Sequence, residues 1–122
     1  MPQTNLGYPD TLSPTSVDAS RLNIGGLYLS VSYVDHECLV PVVESLVFLG
    51  RDLDGEGDGA LYFQDAESHR HLGAFPSVRD EGARIVVTGQ EPPPNLFELE
   101  GALDELGRCL ERRRRKAARQ PA

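Results

Sequence analysis

The sequence predicts an α+β domain, an antiparallel sheet of about four or five strands packed by one long C-terminal helix. Three observations lead there. Residues 25–35 (GGLYLSVSYVD) alternate with period two. Further β-rich segments at 42–50, 60–65 and 83–89 are bounded by Pro or Gly. After residue 95 the apolar spacing switches to three and four. A partly rolled barrel closed by the helix is the alternative arrangement. The 122 residues, 39% hydrophobic and 25% charged, suffice for one modest core and not for two.

Residues 1–20 are rich in Pro, Ser, Thr and Asp without a period, and read as a flexible arm. A single domain is expected over 21–118, with a tail at 119–122. In the first strand Leu27, Leu29, Val31 and Tyr33 point to one face, and Tyr28, Ser30, Ser32 and Val34 to the other. Pro41 cannot donate to a ladder, so it marks the start of the second strand or an edge. Between the third and fourth strands AESHRHLG (66–73) suits one helical turn, with Asp65 as N-cap and Gly73 at its end. GQEPPP (89–94) is a stiff spacer from sheet to helix. In the C-terminal helix Asn95 is the expected N-cap, with Glu98 completing a capping box. Leu96, Leu99, Leu103, Leu106 and Leu110 form its apolar stripe, broadened by Phe97, Ala102 and Cys109. Two heptads are too few for a coiled coil, so the stripe is expected to pack on the sheet.

The net charge of −7 conceals an asymmetry. Residues 1–107 hold five arginines and no lysine against eighteen acids, a formal charge of −13, while seven of the twelve basic residues lie in the last fifteen positions. An anionic body repels nucleic acid and anionic lipid and attracts basic proteins. The run ERRRRKAAR (111–119) lacks interleaved aromatics and reads as a solvated helix end near the protein's own acids. The N-terminus has no basic start and no long apolar run, and residues 38–50 contain Pro41 and Glu44 and are too short to span a bilayer. A cytoplasmic protein is expected, with Cys38 and Cys109 reduced and in the core.

Chemistry is sparsely signalled. RDLDGEGDG (51–59) invites comparison with an EF-hand loop, for Asp52, Asp54, Glu56 and Gly57 fall on its pattern. Position twelve, however, is Phe63 where a bidentate Glu is needed, and the flanks read as strands rather than helices. The segment is a hairpin connection with a mobile anionic tip, and Asp52, Asp54, Glu56 and Asp58 are the candidate partner-binding residues. His36 with Cys38, and His69 with His71, lack any established zinc spacing, so no metal or cofactor is expected. No Gly-x-Ser-x-Gly elbow occurs, and Lys116 is the sole lysine, so no phosphate loop with a following lysine is present.

Three function classes follow. The leading one is a small acidic non-enzymatic protein binding a basic protein partner, of the inhibitor or immunity-protein type, as a monomer or weak homodimer. Eleven Arg beside one Lys suits a GC-rich bacterial genome. The second is a secretion chaperone-like homodimer, with the leucine helix at the dimer contact, that binds an effector segment. The third is a small ligand-binding domain or enzyme built on His36, His69 or His71.

Overall fold

The computed structural model describes residues 16–75 and 82–119. Five strands, β1 (Leu27–Tyr33), β2 (Pro41–Arg51), β3 (Leu61–Asp65), β4 (Ile85–Thr88) and β5 (Leu96–Phe97), form an antiparallel sheet in the order β4-β3-β2-β1-β5. Helix α1 (Ala66–Leu72) follows β3, and α2 (Leu99–Arg119) closes the chain. The arrangement is the expected α+β one. The sheet does not close, so the rolled-barrel alternative falls.

The period-two pattern of β1 sets both faces. Leu29, Val31 and Tyr33 join Phe97, Cys38, Ala102 and Cys109 in a cluster beneath α2. On the opposite face Tyr28, Leu46, Phe48, Leu61, Phe63 and Leu96 form a second cluster, sealed by Val17 with Leu22 and Val86. Phe48 and Phe63 meet there at 5.3 Å in a tilted pair. Full burial of a side chain such as Leu61 or Phe63 contributes about 1.5–3 kcal/mol. Both faces are thus covered in part, where a single covered face would have left Tyr28 in water. The Tyr28 hydroxyl instead donates to Arg21 O at 3.1 Å and accepts from Asn23 N–H at 2.8 Å. Leu27, at the strand's start, escapes both clusters and is exposed.

The fold also begins earlier than the expected arm boundary at residue 20. Ser16 bridges to Phe97, Val17 N–H donates to Leu96 O, and a 3₁₀ turn follows at Ala19–Arg21. Residues 1–15 of the expected arm and 120–122 of the expected tail lie outside the described residues. Arg119, assigned to that tail, is the last residue of α2. In β2 a register shift between Phe48 and Gly50 makes a bulge, and Gly50 supplies the φ of 142° that it requires. Helix α1 is capped as read: Asp65 accepts from Ser68 N–H at 3.0 Å, and Gly73 ends the helix at φ 94°.

The start and the packed face of α2 differ from expectation. Leu96 and Phe97 are not helical; they pair with Ser30 and Leu29 as β5. Asn95 is accordingly no cap. It is buried ahead of β5 and donates from Nδ2 to Ser30 Oγ at 3.1 Å. The carbonyl of Glu98 accepts the Ala102 N–H instead. The side of α2 that meets the sheet carries Gly101, Ala102, Glu105 and Cys109, small residues that let the helix approach β1 closely. Leu99, Leu103 and Leu110 stand 61%, 61% and 47% exposed. The reason is that β5 takes Leu96, and the helix then seats on its small residues and one buried carboxylate.

That carboxylate, Glu105, is 1% exposed. It accepts from Tyr33 Oη at 2.5 Å, from Arg112 Nη2 at 3.3 Å and from Arg108 Nη1 at 3.2 Å. Arg112 also donates to Tyr33 Oη at 2.8 Å and to Cys38 O at 2.9 Å, its guanidinium 5.2 Å from the Tyr33 ring centroid. Arg113 donates to Leu39 O, and Lys116 pairs with Glu37. A solvated helix end is what the sequence of the arginine run predicts. Its inner side is instead docked on the β1–β2 turn.

The seating and its buried network can each be tested by substitution. Leu103→Ala, measured at low micromolar protein, should change stability by no more than about 0.5 kcal/mol, whereas Ala102→Leu should overpack the interface and cost about 1–3 kcal/mol. Denaturant melts of both variants check the pair, and a large loss in Leu103→Ala would contradict the observed helix face. Glu105→Ala should cost about 3–5 kcal/mol, because it strands Arg112 and the Tyr33 hydroxyl. Burial, and then the Glu105 acceptor, push the Tyr33 phenol well above its ordinary value of 10. The sign is that of a raised group: full stability below pH ~10, then a decline as the unfolded chain ionises while native Tyr33 stays protonated. Burial and then Asp54 also raise Tyr62, so Tyr33→Phe should make the alkaline decline shallower without abolishing it.

Candidate functional site

Strand β2 runs from the β1–β2 turn at one end of the sheet to the 52–60 loop at the other. Its eleven residues separate these ends by on the order of 30 Å. The loop joins β2 to β3 as the expected hairpin, and its carboxylates organise its backbone. Asp52 takes a left-handed conformation with φ 59°, which Asp tolerates better than most side chains. Its main chain donates to Ala60 O at 2.8 Å, and its Oδ1 accepts the Gly59 N–H at 2.6 Å. Gly59 lies at φ 75°, where any other residue would be strained. Asp54 Oδ1 accepts from Glu56 N–H and Asp58 Oδ1 from Ala60 N–H, each at 3.0 Å.

Of the four sequence-predicted residues, Asp52, Asp54 and Asp58 are thus brought together, and the Glu56 carboxylate stands outside their group. Asp54, Glu56 and Asp58 are exposed and Asp52 is half-buried at the root. Asp52, Asp54 and Asp58 each place a carboxylate oxygen within 4.8 Å of the others. The Ala60 amide, and next a hydrogen bond with Asp52, hold Asp58 below the usual carboxylate range. Among the described residues, none of the ion pairs involves any of these four acids.

A clasp that the sequence did not reveal fixes the loop to the chain leaving β4. Arg51 Nη1 donates to Gly59 O at 3.0 Å and to Gln90 O at 3.2 Å, and Gln90 Nε2 donates to Asp58 O at 2.9 Å. GQEPPP therefore does more than space: it crosses from the β4 edge of the sheet to β5 at the other edge and braces the acidic loop on the way. Residues 51 and 90 are 39 positions apart and match no local motif, so no sequence signal announced the contact.

The remaining candidates do not converge. His36 sits on the β1–β2 turn, and His69 and His71 lie on α1, two residues apart and hence on different sides of the helix. None of them lines the recess of about 710 Å³ on the sheet face away from α2, where Ser30, Ser32, the Glu44–Arg84 ion pair and Asn95 supply the polar groups. Within that lining Asn95 Oδ1 has no hydrogen-bond partner among the described residues. Cys38 and Cys109 are both buried and not joined in a disulfide, as expected. Among the described residues no helix is long and apolar enough to cross a membrane.

Comparison with protein-family models, with curated proteins and with solved structures finds no match to this chain.

Calcium takes six to eight oxygens. In this loop one oxygen each of Asp52, Asp54 and Asp58 is already committed to a backbone amide, and Phe63 is buried in the core. Millimolar calcium should accordingly move the melting temperature by no more than about a degree. A rise of several degrees would show that the three carboxylates form a cation site.

Proposed function

We propose that this is a non-enzymatic binding protein whose acidic hairpin end engages a basic region of a protein partner, in the manner of inhibitors of the immunity-protein type. The observation that carries the reading is the separation of charge along β2. Asp52, Asp54, Glu56 and Asp58 gather at one end, with Arg51 as the cation of their clasp. Arg112, Arg113 and Lys116 of α2 are docked at the other end, against Cys38, Leu39 and Glu37. At physiological ionic strength screening acts over ~8 Å, so the tail cannot neutralise the hairpin across the length of the sheet. The acidic end keeps its field, and burial of Glu105 with Arg108 and Arg112 removes charge only near the helix.

Backbone amides hold three of the four carboxylates in place, so little ordering is needed when a guanidinium or ammonium group arrives. Long-range attraction of this kind raises the rate of association more than it slows dissociation.

The test uses a partner recovered by pull-down with the intact chain. Replacing Asp52, Asp54, Glu56 and Asp58 together by Asn or Gln should slow association about tenfold or more at low salt and flatten its salt dependence. Equal association rates for the two proteins at low and physiological salt would show that the loop is only a connection. Circular dichroism of the variant guards against a folding defect.

A further inference from the structure

Three leucines of α2, Leu99, Leu103 and Leu110, are exposed, and Leu106, half-buried against the cluster beneath the helix, completes a spacing of four, three and four residues. At 100° per residue they fall on one side of the helix, in a ridge about 16 Å long, roughly 100° around from the face that carries Ala102, Glu105 and Cys109. Gly107 stands beside this ridge. A Cβ placed there would meet nothing within 4 Å, and the residue has no positive φ, so nothing in the described chain requires glycine. Glycine nonetheless weakens a helix interior. An apolar ridge flanked by an otherwise unexplained small residue is what close approach of a second helix needs.

We propose that α2 docks on α2 of a second copy of this chain, ridge against ridge and antiparallel about a two-fold axis, with Gly107 admitting the close approach. The four-three-four spacing makes the ridge self-complementary: Leu99 meets the second copy's Leu110, and Leu103 meets its Leu106. Charge selects the direction. Glu98, Glu100 and Asp104 mark the first half of the ridge, and Arg113, Arg114, Arg115 and Lys116 outnumber Glu111 beyond its end; Glu98, Arg114 and Lys116 also pair within the chain, with Arg21, Glu111 and Glu37. An antiparallel pair opposes these groups, whereas a parallel pair stacks like on like. The same two-fold also sets the acidic hairpin end of each chain toward the basic end of the other. Four leucines a side make an interface below the ~1,200 Å² of stable complexes, so the dimer is a weak, readily dissociating one. The inference does not depend on the acidic-end reading, because it is tested on the chain alone.

Sedimentation equilibrium of the full chain, from low micromolar to near-millimolar, should show the mass rising from 13.4 kDa toward twice that value. Leu103→Asp should weaken association at least tenfold while leaving the melting temperature at low micromolar within about a degree. Gly107→Gln should raise the melting temperature and still weaken association, a pairing of effects that a general loss of structure cannot produce. For direction, Leu99→Cys chains mixed with Leu110→Cys chains should cross-link to each other in preference to themselves; Cys38 and Cys109 are buried and do not compete. A monomer at every concentration would overturn the proposal. So would a drop of several degrees in Leu103→Asp at low micromolar, which would mean that the chain itself, residues 1–15 included, covers the ridge. Preferential Leu99–Leu99 cross-links would overturn the antiparallel arrangement.

Discussion

The seating of α2 depends on one buried carboxylate. Removing Glu105 from water costs several kcal/mol unless its oxygens are satisfied. They are satisfied by three donors from two parts of the chain: Tyr33 on β1, and Arg108 and Arg112 one and two turns further along α2. Two longitudinal displacements are thereby ruled out together. Sliding the helix along β1 would separate Glu105 from Tyr33, and sliding it the other way would pull Arg112 off Cys38 O. Apolar contact alone would not fix the position so closely, since Gly101, Ala102 and Cys109 offer a smooth, shallow face. The polar network sets the register, and the close packing of small residues supplies the contact.

Much of the sheet was legible because period-two alternation in β1 has a direct physical cause, the opposed directions of successive side chains. The cap of α1 was legible for the same kind of reason: Asp65 and Gly73 are residues with a local job. The entry to α2 was not. Leu96 and Phe97 satisfy two patterns at once, the first turn of a leucine stripe and a short strand, and only the open edge of β1 decides between them. Asn95 then looks like a cap while its amide serves Ser30. The leucine stripe gives no hint that Glu105 is buried, yet a signal existed. It lies three positions after Ala102 and four before Cys109, inside a stripe of small residues, with Arg112 a further turn on. A carboxylate in that setting faces inward only if cations follow it.

The acidic loop shows a related limit. Its residues and hairpin nature could be read directly, since glycines and acids between two β-patterned segments leave few alternatives. What could not be read was that the acids cap the loop's own amides, and that Arg51 and Gln90 tie it to the chain leaving β4. Backbone geometry and contacts between distant positions decide those points. They bear on recognition, because a carboxylate held by an amide presents its free oxygen in a fixed direction.

Charge, register and surface are linked through α2. Because Glu105 and Arg112 fix the helix lengthwise, the basic end of the chain is held at the β1–β2 turn and away from the hairpin. A helix free to slip toward the loop would bring arginines within a Debye length of Asp52 and Asp58 and cancel the field there. The same seating turns the leucines outward. A helix that buried Leu99, Leu103 and Leu110 would have to rotate by roughly 100° and withdraw Glu105 from Tyr33. One buried network thus leaves two surfaces available, an acidic end with its field intact and a leucine ridge without cover in the described chain. Each is exposed for the same reason: satisfying Glu105 dictates where the helix can lie.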